Sequence, residues 1–364
     1  MTSMGVSAGA GADYLLDAAI ASRHPPERLV FTGTGSEYFR IWIVNLLLTI
    51  LTLGIYSAWA KVRRTRYFYD CTRLAGSSFE YHGSPMAILK GRVVAVLFFG
   101  AYNLAANHSP VMGMLMLALL ALVGPWLVWK SLQFKLYNSS YRAIRFGFRG
   151  TARKVYLVYL LFPVLTFLTA YVLAPLTHQQ MKKFQHDESR YGNTHFSFHG
   201  TAGSFYKAYL IGFLVALAGI AVIGVTFGGM LAAMASAGGL KQTALGTFAL
   251  FVLVLYLWLF SLFPLFLTMI QNLIWNNTRL GGHRFKSEMR ARRMTFIVFT
   301  NIIGIVLTLG LFIPFAKIRS MKYRIESMTL IPVSNLDDFV AAEQAEASAT
   351  GEGAADMLDF DLSL

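Results

Sequence analysis

The chain has 364 residues, of which 55% are hydrophobic and only 14% are charged, and its mean hydropathy is +0.52. Soluble domains carry about 25% charged residues, so this composition excludes an ordinary soluble protein and predicts an integral membrane protein. The net charge of +14 is divided unevenly, because residues 334–364 hold eight acids and no base. This asymmetry predicts a basic layer at the membrane surface and an acidic tail.

The first 27 residues are predicted to form a disordered leader. They are rich in Gly, Ala and Ser, and they lack the basic start and the uninterrupted apolar core of a signal peptide. Residues 28–333 are predicted to form one polytopic membrane domain. Residues 334–364 are predicted to form an acidic, disordered tail, because the middle of this segment consists of small and polar residues.

Seven apolar runs follow the leader. They cover about 39–60, 86–106, 111–129, 155–176, 205–235, 244–275 and 294–316. The runs 86–106 and 111–129 are joined by a short turn, and so are the runs 205–235 and 244–275. Each pair therefore predicts two spanning helices with a tight loop.

The first and last runs repeat each other at a constant offset of 256 residues. "NLLLTILTLGIYSAWAKVRRTRY" from Asn45 aligns with "NIIGIVLTLGLFIPFAKIRSMKY" from Asn301, so that segment 39–60 resembles segment 294–316. Agreement of this density predicts two copies of one structural unit.

A shorter motif, Phe-x-aromatic-x-Gly followed by Ser or Thr, occurs at 79–84, 146–151 and 196–201, with degenerate copies at 31–36 and 284–287. Alternating aromatic residues before a glycine are typical of a short β-hairpin. The Ser or Thr is predicted to cap the apolar helix that follows. The predicted fold is therefore an all-α integral membrane protein, a polytopic helical bundle of repeated hairpin–cap–helix units with short cytoplasmic β-hairpins.

The segment "NLLLTILTLGIYSAWAKVRRTRYFY", together with "TRLAGSSFEYHG", resembles the YjgN-like family of bacterial inner-membrane proteins, a domain of unknown function. The resemblance covers roughly residues 28–333. It implies a multi-pass helical protein of the bacterial inner membrane. It implies no established activity and no catalytic residues.

Two topologies remain open at this stage. In one, only the four long runs span, while 39–60, 155–176 and 294–316 enter and return, with Gly54, Pro163, and Gly310 with Pro314 as breakers. In the other, all seven runs span. The first places every basic loop, and both termini, in the cytoplasm, as the positive-inside rule favours.

Six bases are predicted to lie at the membrane interface and to contact anionic lipid headgroups. They are Lys61, Arg63, Arg64, Arg66, Lys317 and Arg319. Ser57 is predicted to cap the helix that carries the first four.

Four asparagines lie within or beside the apolar runs: Asn45, Asn103, Asn272 and Asn301. Hydrogen bonding between helices is their usual role, and lining a pore is the functional alternative. No acid or base lies at mid-depth in any run, which argues against a proton-coupled carrier.

No metal, cofactor or catalytic constellation is predicted, and the protein is not expected to be an enzyme. His82 and His199 occupy one motif position where the third clear copy has Arg149, which cannot ligate a metal. Aromatic residues interleaved with the bases favour lipid over nucleic acid as the partner. A homo-oligomer is left open by the small residues Gly224, Gly228 and Ala232.

The leading functional hypothesis is a passive conduit or transporter-like body for a small or amphiphilic solute. The alternative is a membrane-organising scaffold that binds anionic lipid. The tail is further expected to dock through Leu358, Asp359, Phe360 and Asp361 on the basic stretch 277–293.

Overall fold

A computed structural model describes residues 24–236 and 240–349. Its central feature is an eleven-stranded antiparallel sheet, so the predicted all-α class with separate short hairpins is wrong. The strands are β1 Glu27–Arg28, β2 Val30–Phe31, β3 Thr72–Leu74, β4 Ser77–Tyr81, β5 Ser139–Tyr141, β6 Ile144–Phe148, β7 Ser189–Tyr191, β8 Thr194–Phe198, β9 Thr278–Leu280, β10 His283–Ser287 and β11 Met328–Ile331.

The sheet closes almost completely into a barrel. Its two terminal strands, β1 and β2, are consecutive in the chain and are separated only by Leu29. β1 pairs with β11, β2 pairs with β3, and the Leu29 N–H donates to the Met328 carbonyl at 3.1 Å. A two-stranded hairpin alone is marginally stable. Pairing each hairpin with the next removes the exposed edges, which explains why the predicted hairpins assemble.

The helices are inserted between the strand pairs. They are α1 Gly35–Leu51, α2 Ser57–Asp70, α3 Pro85–His108, α4 Pro110–Tyr137, α5 Ala152–Tyr156, α6 Phe162–Leu168, α7 Ala174–Asp187, α8 Ala202–Ser236, α9 Leu240–Asn276, α10 Ala291–Leu307, α11 Ile313–Glu326 and α12 Leu336–Ala349. A π-helical turn, Leu157–Leu161, joins α5 to α6.

All helical hairpins leave from one end of the barrel. Tight turns at residues 75–76, 142–143, 192–193 and 281–282 connect strands at the other end. Because neighbouring strands are antiparallel, every helical insertion must begin and finish at the end opposite these turns. We call the two ends the helix end and the turn end.

Among the described residues, four helices are long and apolar enough to span a membrane: Pro85–His108, Pro110–Tyr137, Ala202–Met234 and Gly246–Asn276. They form two long hairpins, α3–α4 and α8–α9. The other insertions are three short hairpins, α1–α2, α5–α7 and α10–α11, which reverse within the apolar runs. The runs 39–60, 155–176 and 294–316 are therefore not single spans, and the enter-and-return alternative matches the geometry.

The reversal of the second short hairpin is at Ala170 and Tyr171, which have positive φ, and not at the predicted breaker Pro163. Pro163 lies in the first turn of α6, directly after the π-helical turn, and the chain stays helical there. Ser57 is the first residue of α2 rather than its cap, and its hydroxyl donates to the Gly54 carbonyl.

The barrel interior is packed. Phe79, Phe146, Phe196 and Phe285, one from each of four strand pairs, stack around it with neighbouring ring centroids 6.3–6.4 Å apart. Leu29 and Leu330 complete this core, at 8% and 2% exposure. Aromatic and aliphatic side chains therefore form a continuous core along the described strands.

The motif glycine is explained by the aromatic residue two positions before it. A Cβ on Gly83 would lie 2.4 Å from the Tyr81 hydroxyl, and one on Gly200 would lie 2.3 Å from the Phe198 ring. Gly33 stands in the same relation to Phe31. The chain thus passes directly over an aromatic ring as it leaves the barrel. The predicted caps form only in part, at Thr34 and Thr201, whereas Ser84 and Thr151 accept no capping bond.

The acidic segment after β11 is helical at Leu336–Ala349, which differs from the expected disorder. Helix α12 packs on the turn end through Phe339 and Val340. Its acids Asp337 and Glu343 contact Arg142 and the Asn193 N–H. The predicted anchors Leu358 and Phe360, and the leader up to residue 23, lie outside the described residues.

Candidate interfacial site

A ring of bases surrounds the helix end of the barrel. Every helical hairpin carries an exposed base within its first two turns: Arg40, Lys90, Arg153, Lys207 and Arg292. Three of these bases, Arg40, Lys90 and Lys207, lie seven residues after the motif glycine. These bases were not among the predicted interfacial residues, although their constant distance from the glycine was a usable signal.

The short hairpins end in apolar tips. Leu53 and Leu309 are each 95% exposed, and Phe167 is 72% exposed. Helix α1 has 17 residues, which corresponds to about 25 Å at 1.5 Å per residue. This length falls short of the roughly 40 Å of a whole bilayer, so a hairpin of this length is too short to cross one.

The backbone N–H groups at the tips of the first and third short hairpins are hydrogen-bonded within the hairpin. All N–H groups of residues 52–57 have acceptors within the first short hairpin, and those of residues 308–313 have equivalent acceptors in the third. In both tips the Thr hydroxyl, Thr52 or Thr308, accepts the N–H four residues later at 2.9 Å. Unsatisfied backbone groups are what exclude irregular chain from hydrocarbon, so these tips are compatible with lipid.

A surface groove of about 410 Å³ lies along α2, and it contains two of the predicted interfacial bases. Its apolar wall consists of Ile41, Tyr56, Trp59, Val62 and Pro85. Its polar side chains are Arg63, Arg66, Tyr67 and Asp70. The groove therefore combines a strip of apolar and aromatic side chains with two guanidinium groups.

The two arginines of the groove are held differently. Arg66 is anchored to the barrel, because its Nε donates to the Tyr81 carbonyl at 3.1 Å. Arg63 has no hydrogen bond or ion pair within the described part of the chain. Asp70 lies at the barrel end of the groove, where burial and then Glu80 raise the pKa of its carboxyl group, against the opposing effect of Arg66.

The other predicted interfacial bases point elsewhere. Burial lowers the pKa of Lys61, and Arg92 and Arg64 add to the effect, which places Lys61 beside two other bases. Lys317 lies over the Phe68 and Tyr38 rings at 5.4 and 6.0 Å. The six residues predicted as one interfacial set are therefore divided among several environments.

Arg319, the repeat partner of Arg63, is held by hydrogen bonds within the third short hairpin. It donates to the Asn301 side-chain oxygen at 2.8 Å and to the Thr300 hydroxyl at 3.1 Å. The Asn301 amide in turn donates to the Ala316 carbonyl at 3.0 Å and the Ser320 hydroxyl at 3.1 Å. Asn301, 5% exposed, thus forms the interhelix hydrogen bonds that are typical of membrane asparagines.

Asn45 and Arg63, the equivalent residues of the first short hairpin, do not make this hydrogen bond. Asn45, the repeat partner of Asn301, is 8% exposed, and its side-chain oxygen is buried without a hydrogen-bond partner. Two of the residues that bind Asn301 or Arg319 in the third hairpin are replaced in the first: Val44 occupies the position of Thr300, and Arg64 that of Ser320. Val44 has no hydroxyl, so it cannot accept from Arg63 as Thr300 accepts from Arg319.

The remaining two asparagines do not join a shared site. Asn103 is exposed on α3 and donates to the Phe99 carbonyl of its own helix at 2.8 Å. Asn272 lies at the base of α9, where its side-chain oxygen accepts from the Ser287 hydroxyl and the Met289 N–H. Asn272 thus ties α9 to the end of β10.

Comparison with known proteins identifies the family. Residues 26–357 match a family described as "Bacterial protein of unknown function (DUF898)". The chain belongs to this family. The DUF898 match covers the barrel and all the helices described above, which fits the repeat architecture as one unit.

Curated relatives of this DUF898 chain carry the name "Inner membrane protein YjgN". The Salmonella typhimurium protein is 33% identical over 146 residues, which is 40% of this chain and 37% of that protein. The protein of Escherichia coli O157:H7 is 32% identical over 142 residues, which is 39% of this chain and 36% of that protein. The chain therefore matches less than two fifths of each relative's length. No solved structure matches.

These findings confirm the YjgN-like resemblance and the prediction of a multi-pass membrane protein. The relatives are named as inner membrane proteins and their names state no activity.

Proposed function

We propose that this protein is a non-enzymatic, anionic-lipid-binding scaffold that organises the membrane leaflet next to its barrel. The observation that carries the proposal is the placement of an exposed base at the start of every helical hairpin, all at the helix end of the barrel. At that level the long hairpins enter the bilayer, so the bases are at the depth of the phosphate groups. The barrel is then on the cytoplasmic side, where the positive-inside rule favours bases.

The short hairpins support this proposal. Their apolar tips and closed turn backbones suit insertion into one leaflet only. Three such insertions between the two long hairpins would displace lipid from the barrel-side leaflet, while the basic ring would select anionic headgroups. The two features together give a protein that orders lipid around itself.

The conduit hypothesis has weaker support. Phenylalanine rings pack the described barrel interior. The amide of Asn301 is used within its own hairpin, and Asn272 binds a neighbouring loop. Such contacts are typical of structural asparagines rather than of a pore lining.

The test is retention of phosphatidylglycerol against phosphatidylcholine by the detergent-purified protein. Arg40, Lys90 and Lys207 share one motif position, and each base near an anionic surface is worth about 1 kcal/mol. Changing all three to Gln is expected to reduce phosphatidylglycerol retention at least tenfold, with a smaller effect in high salt.

The matched control changes three exposed bases of the barrel wall, Arg28, Arg73 and Arg279, to Gln. It removes the same charge from barrel strands instead of from the helices and is expected to leave retention nearly unchanged. Equal losses in both variants would reduce the effect to net charge and contradict the proposal.

A further inference from the structure

The first and third short hairpins are copies of one unit, and their equivalent arginines, Arg63 and Arg319, differ in hydrogen bonding. In the third short hairpin Arg319 is bound by Asn301 and Thr300. In the first, Arg63 is exposed and Asn45 keeps a buried oxygen with no hydrogen-bond partner. Two positions around this contact also differ between the copies, because Val44 and Arg64 occupy the places of Thr300 and Ser320. The Arg63 guanidinium group therefore lacks the internal partners that Arg319 has.

The guanidinium group of Arg63 lies in the groove along α2. Arg66, one helical turn from Arg63, is positioned by the Tyr81 carbonyl through Nε, which leaves its terminal nitrogens toward the groove. Residues three apart on a helix face each other. The two guanidinium groups thus form a paired donor site of the kind that binds phosphate oxygens.

The groove also has a place for hydrocarbon. Trp59, Tyr56 and Ile41 continue its wall from Arg63 toward the apolar tip of the hairpin. Asp70 lies at the opposite, barrel end. A phosphate is therefore favoured at the Arg63 end, away from the carboxylate, with its chains running along the aromatic strip.

We propose that this groove binds one anionic phospholipid, with Arg63 and Arg66 on its phosphate and Trp59 against its acyl chains. The inference rests on the proposed function, since it names a discrete site within the basic layer. It assigns Arg63 to ligand binding and Arg319, its repeat partner, to structure.

Trp59 provides a local readout. Its quenching by brominated phosphatidylglycerol is measured in reconstituted vesicles, and the signal of a Trp59→Phe variant is subtracted to remove the other tryptophans. Stronger quenching by brominated phosphatidylglycerol than by brominated phosphatidylcholine is expected. Arg63→Gln is expected to weaken the phosphatidylglycerol preference about fivefold.

The control is Arg64→Gln, which removes the same charge from the same helix at a residue that does not line the groove. It is expected to keep most of the preference. Because Arg63 is exposed and makes no described hydrogen bond, its replacement should not impair folding, and an unchanged unfolding temperature checks this. Equal quenching in the Arg63→Gln variant and the unmodified protein would overturn the proposal.

Two further outcomes separate the possibilities. Excess inorganic phosphate is expected to leave Trp59 quenching unchanged, because it has no acyl chains; displacement by it would assign the groove to a free anion and overturn the lipid proposal. Total phosphatidylglycerol retention is measured in parallel. If retention persists while Trp59 shows no lipid preference, the groove proposal alone fails; if the unmodified protein shows no preferential retention, the proposed function fails.

Discussion

At the scale of single residues, the repeat allows one side chain to be compared in two surroundings. The Asn301 side chain makes hydrogen bonds with three groups of its own hairpin, the Ala316 carbonyl, the Ser320 hydroxyl and the Arg319 guanidinium. The buried Asn45 side-chain oxygen has no hydrogen-bond partner. A satisfied buried amide stabilises a fold, but an unsatisfied buried polar atom costs about 1–3 kcal/mol. The two asparagines should therefore respond oppositely to the same substitution.

We expect Asn301→Leu to lower the free energy of unfolding by about 2 kcal/mol, because it strands the Arg319 guanidinium. Asn45→Leu is expected to leave stability unchanged or to raise it by about 1 kcal/mol, because it removes an unpaired acceptor. Thermal unfolding of both variants in one detergent measures the difference. Equal losses would show that Asn45 has a partner after all.

At the scale of elements, the repeated unit is a β-strand, an aromatic residue under a glycine, and a helical hairpin. The two copies at offset 256 also share a hydrogen bond from the start of the first helix to a tyrosine of the second. The Tyr67 hydroxyl accepts the Thr34 N–H at 3.0 Å, and the Tyr323 hydroxyl accepts the Arg290 N–H at 2.8 Å. Their turns also share one conformation, with φ near +49° at Leu53 and +48° at Leu309.

A tip label tests whether the short hairpins insert. In a Cys71→Ser background, a spin label on Leu53→Cys or Leu309→Cys is expected to be shielded from aqueous relaxation agents and accessible to oxygen in the bilayer. A label on Arg73→Cys, on the barrel wall, should show the reverse. Water-exposed tips would leave the hairpins on the surface and remove the leaflet insertion from the proposal.

At the scale of the whole molecule, α12 closes the turn end of the barrel. Arg142 binds Asp337, Ala75 and Ser77, and so links the acidic helix to two β-turns. His283 adds a contact that depends on pH. Its Nδ1 accepts the Val333 N–H at 3.3 Å, and its ring packs against Phe339.

Burial, followed by the charge of His24, lowers the pKa of His283. The neutral ring is thus the folded form, and the unfolded chain takes up a proton first as the pH falls through about 6.5. The stability contributed by His283 is therefore complete above that pH and decreases below it. After correction for the base-catalysed intrinsic rate, the protection of residues 336–345 against hydrogen exchange is expected to be lower at pH 5.5 than at pH 7.5.

His283→Phe keeps an aromatic contact with Phe339 but cannot titrate, so the protection of these residues should change less between the two pH values. The same loss of protection in both proteins would assign the effect to the carboxylates of α12 instead of His283.

Hydrophobic length, charge placement and residue spacing are local properties, so they were enough to predict the membrane class, the two long helical hairpins and the repeat. They left open whether four or seven of the apolar runs span the membrane. The sequence also located Asn45, Asn301, Arg63 and Arg319 as equivalent pairs. It did not determine that short strands of two to five residues would join into one barrel. Each strand is too short to carry a pattern that names its partner, and the closing pairs β1–β11 and β2–β3 join segments far apart in the chain.

Only the tertiary structure separated Arg63 from Arg319. Both follow the same motif, but their roles depend on Val44 and Thr300, which lie on the facing helix of each hairpin. It also decided that part of the acidic tail is a helix, since α12 has the barrel as its partner surface. Composition and periodicity specify what a segment can become, whereas contacts between distant segments decide which polar group is satisfied and which remains free to bind.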